Sequence, residues 1–127
     1  MIHLDTNLLI AAIDAAHLHH AQASHALSTG RPAATDAVAW TEFRSKPVPA
    51  ARVQALTLML GSRILPYSQT VAELAGQLFQ IPGIKRSQRL DTMIAACAIH
   101  AGAELATVNP ADFAPFVPHG LRLLPLP

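Results

Sequence analysis

From Met93 to Ile99 the chain reads Met-Ile-Ala-Ala-Cys-Ala-Ile, and a helix that is apolar on every side must be buried. Asp91 stands just ahead of the run as a start signal and Gly102 just behind it as a stop. Such a helix belongs in an interior, pressed against a sheet. The remaining segments supply one. Met1–Leu4, Ala33–Thr35, Arg63–Pro66, Leu105–Val108 and Leu121–Leu124 read as strands. Between them lie helical patterns at Leu8–Ala16, His17–Leu27, Ala37–Phe43, Ala50–Leu60 and Gln69–Phe79. Asp36 and Ser68 sit where caps belong, and Pro47 and Pro49 break the third helix early. Strands alternating with helices predict an α/β fold, a mostly parallel sheet covered on both faces through right-handed crossovers.

The 127 residues are enough for one domain with a substantial core, and we read residues 1–127 as such a unit. Half the residues are apolar, which excludes a disordered chain. The formal charge of +1 offers no global attraction for nucleic acid, so any such contact must be local. Cys97 is the sole cysteine, cannot form an internal disulfide, and reads as a buried, inert thiol suited to a reducing compartment. No run reaches the ~18 apolar residues of a membrane span. No signal peptide precedes the first strand. A cytoplasmic protein is expected.

In an open parallel sheet, ligands bind beyond the carboxyl ends of the strands. Asp5 stands at the end of the first strand, followed by Thr6 and Asn7. Two readings of Asp5 stand side by side: a helix cap, or the floor of a crevice. Glu42 lies on the helix after the second strand, Asp91 precedes the next strand, and Asn109 and Asp112 follow that strand. The chain has only three glutamates and five aspartates, so several beside apolar strand ends are conspicuous. Clustered carboxylates repel unless a cation compensates, and an all-oxygen set suits Mg²⁺ or Mn²⁺ rather than zinc. Between Pro82 and Leu90 a basic loop carries Lys85, Arg86 and Arg89. It reads either as solvated surface or as the path of a phosphate backbone towards Asp91.

The stretches Leu4-Asp5-Thr6-Asn7, Trp40-Thr41-Glu42-Phe43, Leu90–Ala96 and Ala106–Phe113 occur in the order found in PIN-domain ribonucleases. Across essentially the whole length the chain most resembles the VapC-like toxins of type II toxin–antitoxin pairs. The resemblance implies a three-layer α/β/α fold with a sheet of about five strands, acting as an endoribonuclease. It also implies a Mg²⁺ site (Mn²⁺ as an alternative) on Asp5, Glu42 and Asp91, supported by Thr6 and Asn7 behind Asp5. RNA as substrate, a homodimer and a cognate antitoxin follow from it as well. One departure stands out. Many relatives carry Asp where this chain has Asn109, whose amide oxygen can bind a hard cation but brings no charge. Either Asn109 is the nearer group, or Asp112 supplies the charge.

Rival readings are weaker. A haloacid-dehalogenase-like phosphatase needs a second Asp two residues after the first, where this chain has Asn7. A non-catalytic PIN-like module binding RNA or protein draws its support from Asn109. His17, His19, His20 and His25 do not pair at the spacing of a helical zinc site and read as a solvated face. Trp40 and Phe43 read as core and rim.

Overall fold

A computed structural model describes residues 1–127. It contains strands β1 (Ile2–Leu4), β2 (Ala33–Asp36), β3 (Ile64–Leu65), β4 (Glu104–Ala106) and β5 (Arg122–Leu123). They form one five-stranded sheet in the order β3-β2-β1-β4-β5, with every neighbouring pair parallel. Ile2 lies opposite Ala33 on one side and Glu104 on the other. Ile2, His3 and Leu4 are all fully buried, so both faces of the central strand are covered, as a parallel sheet requires.

The helices are α1 (Thr6–Ala12), α2 (His20–Leu27), α3 (Ala37–Arg44), α4 (Ala50–Leu60), α5 (Gln69–Leu78), α6 (Arg89–Ala101) and α7 (Pro110–Phe113). Short 3₁₀ turns cover Arg86–Gln88 and Ala114–His119. The three-layer α/β/α architecture is the expected one. In α6, Thr92 and Ile94–Ala98 are buried, which puts the all-apolar run inside. It joins a core of 26 buried residues that also holds Leu8, Phe43, Leu60, Leu105 and Phe116.

Local chemistry moves several boundaries. The first helix starts at Thr6 rather than Leu8 and stops at Ala12 instead of running to Ala16. Beyond it, Asp14 Oδ1 accepts the Ala16 N–H and offers the backbone a turn in place of a helix. The second helix starts at His20 rather than His17, because His17 Nδ1 accepts the His19 N–H and holds that segment in a turn. Val108 lies outside the fourth strand: Thr107 Oγ1 accepts the Asn109 N–H and turns the chain away from the sheet. Pro110 then occupies the first turn of α7, a helix that sequence reading had left as loop.

Asp91 is the correction that matters most. It does not cap α6; the helix begins at Arg89 and Asp91 sits within its first turn. Arg89 is therefore helical rather than part of the basic loop.

Candidate active site

The chain leaves β1 through Asp5, whose N–H donates to the Ala106 carbonyl of β4 at 3.0 Å. Asp5 is 5% exposed and caps α1, one carboxylate oxygen accepting the Thr6 N–H at 2.8 Å. The other accepts the Thr107 hydroxyl at 2.9 Å. Cap and crevice floor are thus the same side chain, since a carboxylate has lone pairs to spare after two bonds. Burial raises the Asp5 pKa, and the hydrogen bonds from Thr107 and Thr6 pull against that rise.

Glu42 comes from α3, which Asp36 starts by accepting the Val38 and Ala39 N–H groups at 2.8 and 2.9 Å. Its Oε1 accepts the Thr6 hydroxyl at 2.9 Å. Burial raises its pKa too, opposed by Thr6 and reinforced by the charges of Asp5 and Asp36. Asp91 responds most: burial, then the negative charges of Asp5, Asp112 and Glu42, push its pKa to about 6. Asp5, Glu42, Asp91 and Asp112 therefore share one electrostatic neighbourhood at the carboxyl ends of the strands.

Other predicted site residues stand further off. Asn109 and Asp112 are exposed on the turn into α7, and Asn109 makes no side-chain cap there. Asn7 is exposed. Thr6 supports Asp5 through its backbone alone; its hydroxyl serves Glu42, and Thr107 takes the role expected of Thr6 and Asn7. Lys85, Arg86 and Arg89 are exposed and enter none of the ion pairs. Phe43 is buried beside half-buried Trp40, as core and rim. The Cys97 thiol is buried and its pKa is pushed up to about 12, which suits the inert role expected of it.

No three Asp, Glu, His or Cys side chains converge tightly enough to cage an ion between them. The chemistry of the donors still fits a hard cation. All are oxygen, and their mutual repulsion is what a cation relieves. Mg²⁺ characteristically keeps several waters and takes one or two carboxylates plus substrate phosphate, so a full protein cage is not required. Glu42 also borders two clefts. One, of about 370 Å³, runs past Thr6, Asn7, Ser45 and Lys46; the other, of about 250 Å³, runs past Tyr67, Leu90 and Met93.

A family model described as the PIN domain matches residues 2–114. The chain belongs to the PIN-domain family. Among solved structures, this PIN-domain protein is similar to FitAcB from Neisseria gonorrhoeae at 19% identity and a TM-score of 0.76, covering 98% of this chain and 97% of that one. It is similar to a chain of a toxin–antitoxin complex from Klebsiella pneumoniae at 28% identity and a TM-score of 0.69, covering 90% and 91%. A third likeness is to VapC20 of Mycobacterium tuberculosis, a sarcin–ricin-loop-cleaving toxin, at 20% identity and a TM-score of 0.67, covering 90% and 94%. No curated protein matches the chain.

Sequence reasoning missed Thr107, whose partner Asp5 lies 102 positions away. It also missed His3, a lone polar residue within a buried strand, which meets Asp36 at 2.6 Å with both side chains fully buried. The only signal for that pair was a histidine inside an otherwise apolar run.

Proposed function

We propose that this PIN-domain protein is a Mg²⁺- or Mn²⁺-dependent endoribonuclease and the toxin of a toxin–antitoxin pair. The observation that carries the reading is the coupled set Asp5, Glu42 and Asp91 at the strand ends, with Asp91 raised to about 6 by its neighbours. Its fold neighbours include the toxin–antitoxin complex and the loop-cleaving toxin named above, which supports an antitoxin partner and RNA as substrate. The family resemblance adds a homodimer, and the protein would work in the cytoplasm.

Asp5 and Asp91 would hold the ion, with Asn109 and Asp112 on its outer side. When bound, the cation offsets charge on the phosphoryl oxygens and acidifies a water. The chain's own groups do the rest. Thr107 and the Thr6 N–H keep Asp5 in a single orientation. Glu42, held by the Thr6 hydroxyl, orients the attacking water and takes its proton. Its raised pKa makes it a better base than an ordinary glutamate. Water oxygen bonds to phosphorus, the bond to the leaving ribose oxygen breaks, and solvent protonates that oxygen. Lys85, Arg86 and Arg89 would meet the RNA backbone outside the crevice.

Incubating purified protein with total cellular RNA, with and without Mn²⁺, and mapping new ends tests this directly. Discrete cuts that need the metal and vanish in Asp91→Asn are expected. RNA that is bound yet left whole by the wild type would instead indicate a non-catalytic module.

A further inference from the structure

The cleft of about 250 Å³ on the α6 side of Glu42 is lined by Ala37, Val38, Thr41, Glu42, Tyr67, Leu90 and Met93. Tyr67 follows β3, so the edge strand delivers the chain's only tyrosine to the same end of the sheet as the carboxylates. The Tyr67 side chain is half-buried and packs against the core. Opposite it, Leu90 and Met93 share one face of α6 at helical spacing. Leu90 is 43% exposed, an apolar side chain that the fold leaves uncovered. Immediately before Leu90 come Lys85, Arg86 and Arg89, none of them engaged in an ion pair.

We infer that this cleft is a nucleobase subsite, taking one unpaired base of the RNA beside the scissile phosphate, with Tyr67 as its stacking surface. The inference rests on the nuclease reading and names a determinant of which RNA that site accepts. An apolar slot with an aromatic wall, next to unpaired cations, matches the two halves of a nucleotide: a flat apolar base and an anionic phosphate. Proteins that read single-stranded RNA hold splayed bases on such aromatic side chains. Because Glu42 forms one wall, a base seated here belongs to a nucleotide adjoining the phosphate that the carboxylates face.

The test uses a single-stranded oligoribonucleotide spanning a mapped cleavage site, made abasic at each position in turn. Binding is measured by fluorescence anisotropy in the Asp91→Asn background, where cleavage is expected to stop. One position next to the cut should lose about five- to hundredfold in affinity when abasic. Tyr67→Leu should lose a similar factor on intact RNA and show no further loss at that abasic position, whereas Tyr67→Phe should behave as the parent does. Leu90→Gln, at an exposed site that does not burden the core, should shrink the same penalty. If Tyr67→Leu and Leu90→Gln keep the full penalty at every abasic position, the subsite is refuted and the cleft is left for a protein side chain. A wild type that cuts no RNA overturns the nuclease reading itself, a failure visible before any Tyr67 variant is made.

Discussion

Asp91→Asn separates the charge of the crevice from its shape. Asn is nearly isosteric with Asp, and Asp91 makes no capping bond that the change would break. In the folded protein the Asp91 pKa is raised from 3.8 to about 6. At full strength that difference corresponds to about 3 kcal/mol of unfavourable charge. Asp91 is only partly buried, and solvent screening brings the figure to about 1 kcal/mol. The attraction of a first-turn carboxylate to the helix N-terminus, about 0.3–1 kcal/mol, works the other way. Repulsion wins narrowly, so metal-free Asp91→Asn should be slightly more stable than wild type at pH 8, by roughly 3 °C or less in Tm.

The pH dependence is the sharper readout. A carboxyl whose pKa is higher in the folded state binds its proton more tightly there, so stability falls as pH rises from about 3.8 towards 6 and then levels off. Asp91→Asn lacks that fall, and its advantage should fade below pH 4. Added Mn²⁺ should reverse the ranking. At a hundredfold excess over Kd a bound ion stabilises the folded state by about 2.7 kcal/mol, and a variant without the Asp91 charge should forfeit most of that. Thermal melts in EDTA at pH 4 and pH 8, repeated at pH 8 with millimolar Mn²⁺, measure all of this. Identical pH slopes and identical Mn²⁺ responses in the two proteins would refute a shared, cation-seeking crevice.

Thr107→Val removes the hydroxyl from Asp5, costs about 1.5–3 kcal/mol of stability, and should lower activity about 10–100-fold. Without that bond the Asp5 pKa rises further, so the acid limb of the pH–rate profile should move to higher pH; an unmoved limb would argue that Asp5 is not ionised in the active form. Replacing Lys85, Arg86 and Arg89 together by Ala should weaken RNA binding and flatten its salt dependence while leaving Mn²⁺ affinity alone, and an unchanged salt slope would remove them from the RNA path. Asn109→Asp should tighten Mn²⁺ binding and Asp112→Asn should weaken it; calorimetry giving wild-type isotherms for both would take the fourth position out of the site.

The parts of this fold that could be read from sequence are those whose causes are local. The fourth helix has its predicted bounds, Ala50–Leu60, because Pro49 and Gly61 stop it at either end. Asp36 and Ser68 cap the helices assigned to them. Asp5, Glu42 and Asp91 were legible because a parallel sheet sends whatever follows its strands to one edge. What escaped depends on contacts between distant segments. Nothing near Thr107 marks it as a partner for Asp5, and nothing near Thr6 says its hydroxyl serves Glu42, 36 positions on. Asp91 was misread as a cap because an Asp before an apolar run usually is one; here the helix reaches back to Arg89, with the Thr92 hydroxyl bonding the Gln88 carbonyl at its start.

The long-range bonds share a logic that explains where the cations are. His3 and Asp5, two positions apart at the end of the central strand, project to the same side of the sheet. His3 holds Asp36 at 2.6 Å, and Asp36 in turn fixes the start of α3 through two backbone N–H groups. A buried polar pair is a poor source of stability compared with apolar packing. Here it ties the helix bearing Glu42 to the strand that delivers Asp5. Thr6 and Thr107 complete the frame with neutral hydroxyls. Each carboxylate of the crevice is thus oriented by a neutral donor rather than by an Arg or Lys partner. An internal cation would orient them equally well but would cancel the charge that a metal ion is drawn to. Hydroxyl donors keep the geometry and leave the charge, while Lys85, Arg86 and Arg89 stay on the surface, where they can meet a polyanion without quenching the carboxylates.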